Sequence, residues 1–487
     1  MASDGTQETF ELSEPTRHID EFLSHSWSSN GRLKWLSLCL YHNGPAAVKA
    51  SVLAGALVAL LETTQLVTTG LPIAQHTWFD GRVRGISFAP YLASYSAFLL
   101  VLLFGSLLPG AVAAGRNPVM FLDKICIHQQ DPSLKQQGIR GINEFIRRSS
   151  RMLVCHSAAA PGGSYFERLW CVFELASFVS KCREADRRAA SEGKAGSSRA
   201  EHVDERLVVL PLWRPVCLLA VQLGLVVGHA SEYISSLPAG GASMGDSCDS
   251  KAYGVDGSAS SAGVHLGIVG FVQGFMLRMS IGMLIPFWID LAQMAEKELL
   301  LAQVRSFRFE NVQCRDPDDR ERVYQAIAEL YERDGDEVGG DPDSSPSRRR
   351  GIERFERDVQ SGGVYTVVER AIGTQTGALD RRHAVVAFLP NLYRAFSYFP
   401  QNFHSQPNLF LFHAVVLMVL SPRCREWVLS FYRAYLQAWL PRRASCTLGC
   451  LVVSVLFSFL VLATAFPCML ALRLVALSDL WILVRVE

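Results

Sequence analysis

The sequence predicts an α/β chain in which a five-stranded parallel sheet is combined with an α-helical membrane region of five or six spans. Three observations predict it. Short apolar runs that end in polar loops and lead into amphipathic stretches recur near Ile19, Val119, Met152 and Leu207, the strand–loop–helix rhythm of a parallel sheet. Long apolar runs interrupt that rhythm twice, two runs each time, so the chain returns to the side it left. Hydrophobic residues make up 49% of the 487 and charged residues only 19%, and those apolar runs account for the excess.

Taken in order, residues 1–18 form a polar, acidic tail without the apolar core of a cleaved signal peptide. Ile19 to Ser24 reads as the first strand. Gly31 to Tyr41 reads as a helix with Leu33, Leu36 and Leu40 on one face. The first membrane hairpin follows, 50–73 with Glu62 inside it and 86–115 with no charge, bordered by Arg84 and Arg116. α/β character returns over 118–212. A second strand ends in Phe121-Leu122-Asp123, and a helix over Gly138 to Arg148 carries Ile139, Ile142, Phe145 and Ile146 at helical spacing. A third strand, Met152 to Cys155, precedes a helix bearing Trp170 and Glu174. The tract from Glu184 to Arg206 reads as a mobile loop, and Leu207 to Leu212 as the fourth strand.

The second hairpin takes 213–231 and 265–289, the latter with Arg278 near its centre. Glu62 and Arg278, opposite charges at similar depth, are expected to pair, because a lone charge at mid-bilayer costs about 2.5–3.5 kcal/mol on insertion scales. Alternatively the first span stops near Leu61, and Arg278 snorkels or meets Asp290. The segment 305–333 completes the sheet domain, with a fifth, edge strand over Ser306 to Cys314 and a helix over Arg320 to Arg333 capped by Asp318. Residues 334–350 read as disordered, 351–402 as a cytosolic helical region, 403–421 as a transmembrane or re-entrant segment, and 444–472 as a C-terminal span.

The loop from Glu232 to Gly263 has one lysine and no arginine, while Pro118 to Arg206 is strongly basic. The N-terminus and the sheet domain therefore face the cytosol. A net charge of +1 gives no reason to expect nucleic-acid binding. Twelve cysteines, none in a CxxC pair, fit a reducing compartment and show neither a zinc site nor a disulfide framework. No GxGxxG follows a strand, so dinucleotide binding of the Rossmann type is not indicated.

Three motifs carry a resemblance. Phe22-Leu23-Ser24 closes the first strand, Phe121-Leu122-Asp123 closes the second, and Trp170-Cys171-Val172-Phe173-Glu174-Leu175 opens a helix. Together they resemble the F-L-S, F-x-D and W-C-x-x-E-L of TIR domains. The run Asp123-Lys124-Ile125-Cys126-Ile127-His128-Gln129 also resembles the D-x-x-C-I-x-Q of HET domains, a structurally related family. The resemblance implies a flavodoxin-like sheet of order 2-1-3-4-5 whose carboxyl-end crevice gathers Ser24, Asp123 and Glu174. It also implies a signalling module that self-associates and cleaves NAD⁺, a substrate rather than a cofactor, to nicotinamide and ADP-ribose products.

Glu174 then holds the catalytic position. The loops after the first two strands, with Ser24, His25, Trp27, Asp123, Lys124 and Cys126, supply substrate contacts together with Trp170. Other readings of these residues stand beside that one. Glu174 can be an early-helix carboxylate favoured by the helix dipole, and His25 a plain loop residue. Trp27 stacks on a base or closes the core, and Asp123 touches the ribose or fixes its loop. Cys126 with His128 suggests a thiol nucleophile or a metal, although no third ligand stands at suitable spacing. A non-catalytic TIR-type interaction module and a transport or channel protein regulated by that domain are the rival functions.

Overall fold

The computed structural model describes residues 5–67, 69–77, 83–107, 118–157, 164–191, 203–235, 237, 261–314, 317–332, 345–373, 379–402, 418–436, 451–461 and 463. The chain forms two compact units: a sheet unit of Met1–Leu38, Gly115–Pro215 and Gln293–Thr374, and a helical unit of Cys39–Ala114, Val216–Ala292 and Gln375–Glu487.

In the sheet unit, a short helix α1 (Gln7–Phe10) is followed by β1 (Ile19–His25) and then α2 (Gly31–Thr63), which continues into the helical unit. The expected polar tail is thus partly ordered: Thr6 and Thr9 form a capping box on α1, and Phe10 packs edge-on against His128. Later come β4 (Met120–Phe121), α4 (Asp123–Cys126), α5 (Pro132–Arg140), α6 (Ile142–Arg148), β5 (Ser149–His156), α7 (Leu169–Ser191), α8 (Val203–Arg206) and β6 (Leu207–Pro211). Their sheet is parallel throughout, in the order β4-β1-β5-β6. That is the order 2-1-3-4 expected of the four strands. β1 and β5 are buried along most of their length, as strands covered on both faces must be.

Four expectations fail in this unit. The single helix over 138–148 is two helices: Asp131 caps α5 with Pro132 at its first position, and Gly141 separates α5 from α6. Glu184 opens no loop, because α7 continues to Ser191. Residues 345–350 are helical within α12 (Ser345–Ser361) rather than disordered. The fifth strand is absent. Residues 306–314 hold a 3-10 turn (Phe309–Asn311) and make one isolated parallel bridge, Gln313 to Arg168, while α13 (Gly363–Ile372) packs beside β6. Phe307 and Phe309 imitate strand alternation, but the Gln360 amide donates to the Phe307 carbonyl and the Phe309 amide donates to Glu356, so α12 takes the bonds a strand needs. The helix expected over 320–333 is α11 (Pro317–Glu332), which packs on α7 and α12.

The helical unit contains the remainder of α2, an antiparallel pair β2 (Ala74–Thr77) and β3 (Val83–Ile86), α3 (Ala89–Phe104), α9 (Arg214–Ser235), most of α10 (Ser261–Arg305), α14 (Arg381–Ala387), α15 (Leu389–Asn402), α16 (Met418–Phe431) and α17 (Leu451–Val461). Among the described residues three helices are long and apolar enough to cross a membrane: Gly31–Thr63, Ala89–Leu107 and Arg214–Ser235. The expected soluble helix and first span are one helix that ends at Thr63, ten residues short of the expected 73. Glu62 lies in its last turn and accepts from the Thr69 hydroxyl at 2.7 Å; the side chain of Arg278 lies outside the described residues. Residues 403–417, and 444–472 apart from 451–461 and 463, also lie outside them.

The region expected to be one cytosolic helical segment, 351–402, divides. α12 and α13 belong to the sheet unit, whereas α14 and α15 belong to the helical unit, where α15 packs on α3. α9 and α10 meet backbone to backbone, since a Cβ added at Gly224 would lie 2.1 Å from the Gly282 carbonyl oxygen. Two buried ion pairs tie the unit together, Asp290 with Arg425 and Glu232 with Arg394.

Candidate functional site

β1 is bordered by β4 on one side and β5 on the other, so the chain's winding reverses between β1 and β5. Ligands of open α/β sheets bind at the carboxyl ends of the strands at such a point. The register places Ser24 beside Val154 and His25 beside Cys155 there.

Glu174 stands in the second turn of α7 and is 8% exposed. The Ser24 hydroxyl donates to its carboxylate at 2.5 Å. Ser24 also meets the Tyr165 hydroxyl at 2.7 Å, and that hydroxyl donates to the Cys171 carbonyl at 3.1 Å. Burial pushes the Glu174 carboxyl up to about 8; the Ser24 hydrogen bond opposes the rise and the negative charge of Asp123 adds to it. At neutral pH the acid is therefore mostly protonated, and an approaching positive charge would ionise it.

A second group forms at the ends of β1 and β4. Asp123 opens α4 and accepts from the Trp27 indole at 2.5 Å and from the Lys124 amide at 2.7 Å. The His25 imidazole stands 4.0 Å from the same carboxylate; burial holds it below the usual imidazole range, with Asp123 opposing. The Lys34 ammonium, on the first turn of α2, donates to the Ser26 carbonyl at 2.8 Å, and burial lowers its affinity for the proton.

The structure thus brings together Ser24 with Glu174, and Trp27, His25 and Lys124 with Asp123. Trp27 does not close the core, being 40% exposed. Asp123 does fix its loop, through the Lys124 amide. Trp170 shares a helix face with Glu174 and packs edge-on against Phe173 at 5.9 Å. Cys126 sits half-buried on α4, and burial pushes its thiol up, away from the thiolate a nucleophile requires. His128 accepts from the Asp131 amide and pairs with Gln7, which is a structural role. Among the described residues no group of three or more His, Cys, Asp or Glu is placed to hold a metal.

Sequence reasoning missed Tyr165, Lys34 and His156. Tyr165 and Ser24 are 141 positions apart, and only the fold joins them. His156, fully buried at the end of β5, has no hydrogen-bond partner for either ring nitrogen among the described residues, and burial holds it at about 3, so it is neutral. Comparison with protein-family models, curated proteins and solved structures finds no match to this chain.

Proposed function

We propose that this is a multi-pass membrane protein whose sheet unit is a TIR-like signalling domain that binds and hydrolyses NAD⁺. The supporting observation is the Ser24–Glu174 contact: a buried carboxyl at the switch point of a 2-1-3-4 parallel sheet, on the helix that opens with Trp170-Cys171. The chemistry is glycoside-like. The bond from the ribose anomeric carbon to the ring nitrogen breaks, its electron pair neutralises the nicotinamide ring, and positive charge develops on the ribose. Ionised Glu174 stabilises that charge. Water then adds to the anomeric carbon and releases a proton, leaving ADP-ribose. The pyridinium of bound NAD⁺ supplies the positive charge that ionises Glu174 in an otherwise unfavourable place.

In this reading Trp27, His25, Asp123, Lys124 and Trp170 border the substrate, the sheet unit faces the cytosol, and copies of the chain associate through it. A second reading, an assembly module without turnover, is favoured by the hydrogen bonding that runs from Glu174 to Ser24 and from Ser24 to Tyr165. Nicotinamide release by the purified full-length protein in detergent or lipid discs separates the two. Glu174→Gln keeps volume and removes charge, and it should lower turnover on the order of 10²-fold or more. Equal turnover in both proteins would reject Glu174 as the catalytic acid. No turnover in either, despite oligomers, would favour the assembly module.

A further inference from the structure

The described residues between β5 and α7, 157 and 164–168, present Tyr165 to Ser24, and α10 together with the segment that follows it holds both of their ends. At the first end the Ser157 hydroxyl donates to Glu296 on α10 at 2.9 Å. At the second the Gln313 amide donates to the Glu167 carbonyl at 2.6 Å, and the Leu169 amide donates to the Gln313 carbonyl at 3.2 Å. Gln313 belongs to the strap 306–314 that leaves the end of α10 directly.

The strap itself is firmly held. Phe307, Phe309 and Val312 are buried, and the Phe307 ring meets Phe166 of the gripped loop edge-on at 6.4 Å. Glu356 accepts from the Phe309 amide at 2.8 Å and from Arg308 at 2.9 Å. At the end of α10 the Arg305 guanidinium donates to the Tyr365 hydroxyl at 2.7 Å.

Upstream, α10 is an unbroken helix of 45 residues that contains the expected span 265–289. Within the helical unit it is pressed against α9 at Gly224 and Gly282 and tied by Asp290 to Arg425. A helix transmits displacement along its axis through its hydrogen-bonded turns; α10 stays helical across Pro286, where one of those bonds is missing.

We infer that α10 and its strap are a positioning device for the Tyr165 loop, through which a rearrangement of the apolar helices regulates the Ser24–Glu174 site. As regulation of NAD⁺ cleavage the inference rests on the function proposed above; as a mechanical coupling it does not. The bridge uses only backbone atoms of Gln313, so Gln313→Ala preserves it and Gln313→Pro removes its donor. Val312 has φ −72° and ψ 129°, a conformation compatible with a following proline.

The test is hydrogen exchange by mass spectrometry on the full-length protein in lipid discs, read at the peptide covering Phe166–Leu169 with β5 as the control for folding. Gln313→Pro should accelerate exchange there by about tenfold, the loss of roughly one hydrogen bond's protection, while Gln313→Ala should not. Gly282→Ala, which forces α9 and α10 apart, should accelerate the same peptide, and the milder Pro286→Ala should change it with β5 still protected. Where NAD⁺ turnover is measurable, Gln313→Pro should lower kcat more than it raises KM, and Gln313→Ala should restore wild-type values. Unchanged exchange over Phe166–Leu169 in both α10 variants, with β5 protected, would overturn the coupling whether or not the protein turns over NAD⁺. If Gly282→Ala also exposes β5, Pro286→Ala alone decides.

Discussion

Glu232 and Asp290 in the helical unit each face an arginine, whereas Glu174 in the sheet unit meets the hydroxyl of Ser24 and the like charge of Asp123. The contrast separates two uses of a buried acid. Asp290 is 1% and Arg425 0% exposed, so the contact between opposite charges offsets the desolvation of both. Such a pair fixes which helices meet. Glu174 lacks that compensation, so burial and the nearby Asp123 leave it mostly protonated at neutral pH, the property on which the proposed function rests.

The contrast breaks most visibly when one partner of a pair is removed. Arg425→Gln removes the cation facing Asp290 and should destabilise the protein by about 3–5 kcal/mol, while Asp290→Asn with Arg425→Gln should recover much of the loss. Thermal unfolding in detergent measures both, and additive losses would mean that the two charges do not act as a pair.

Glu174 should behave in the opposite sense. Burial raises its carboxyl from the ordinary 4.5 to about 8 in the folded protein. Between those values the folded state holds one more proton, so stability falls as pH rises through the window and levels off above it. Glu174→Gln removes that slope and should make the protein a few kcal/mol more stable than wild type near pH 9, with no gain near pH 4. Denaturant titrations across pH measure the difference; parallel curves would show that the carboxyl is not buried in this way.

Tyr165→Phe removes the hydrogen bonds to the Ser24 hydroxyl and the Cys171 carbonyl and should cost about 1–3 kcal/mol, with turnover falling less than tenfold. A loss equal to that of Glu174→Gln would instead place Tyr165 in the chemistry.

Much of the sheet and its site was legible in the sequence, because a parallel strand covered on both faces is written as a continuous apolar run. Phe22-Leu23-Ser24 and Met152-Leu153-Val154-Cys155 are such runs, and the β4-β1-β5-β6 order agrees with that expected of them. The resemblance implied that Ser24, Asp123 and Glu174 converge; Ser24 and Glu174 do meet, while Asp123 groups with Trp27 and His25. What stayed hidden depended on distant partners. A helix over Gly31 to Tyr41 and a span over 50–73 were expected as separate elements, yet α2 runs through from Gly31 to Thr63, and the Asn43 side chain within it donates to the Leu102 carbonyl at 3.0 Å. Period-two alternation at Phe307 and Phe309 reads as an edge strand, but Glu356 and Gln360 draw that segment away from β6. The Asp290–Arg425 pair was invisible because only the fold brings residues so distant in sequence together; the partner weighed for Asp290 was Arg278.

The most direct test of Glu174 is nicotinamide release by the full-length protein from about pH 6 to about pH 9, because kcat/KM reports the ionisation of the free enzyme's essential group. If Glu174 is the catalytic carboxylate, wild-type kcat/KM rises about tenfold per pH unit below about 8 and levels above it, and Glu174→Gln is slower on the order of 10²-fold or more where the wild type levels. Turnover by Glu174→Gln equal to wild type, or a wild-type profile flat across that range, would contradict it.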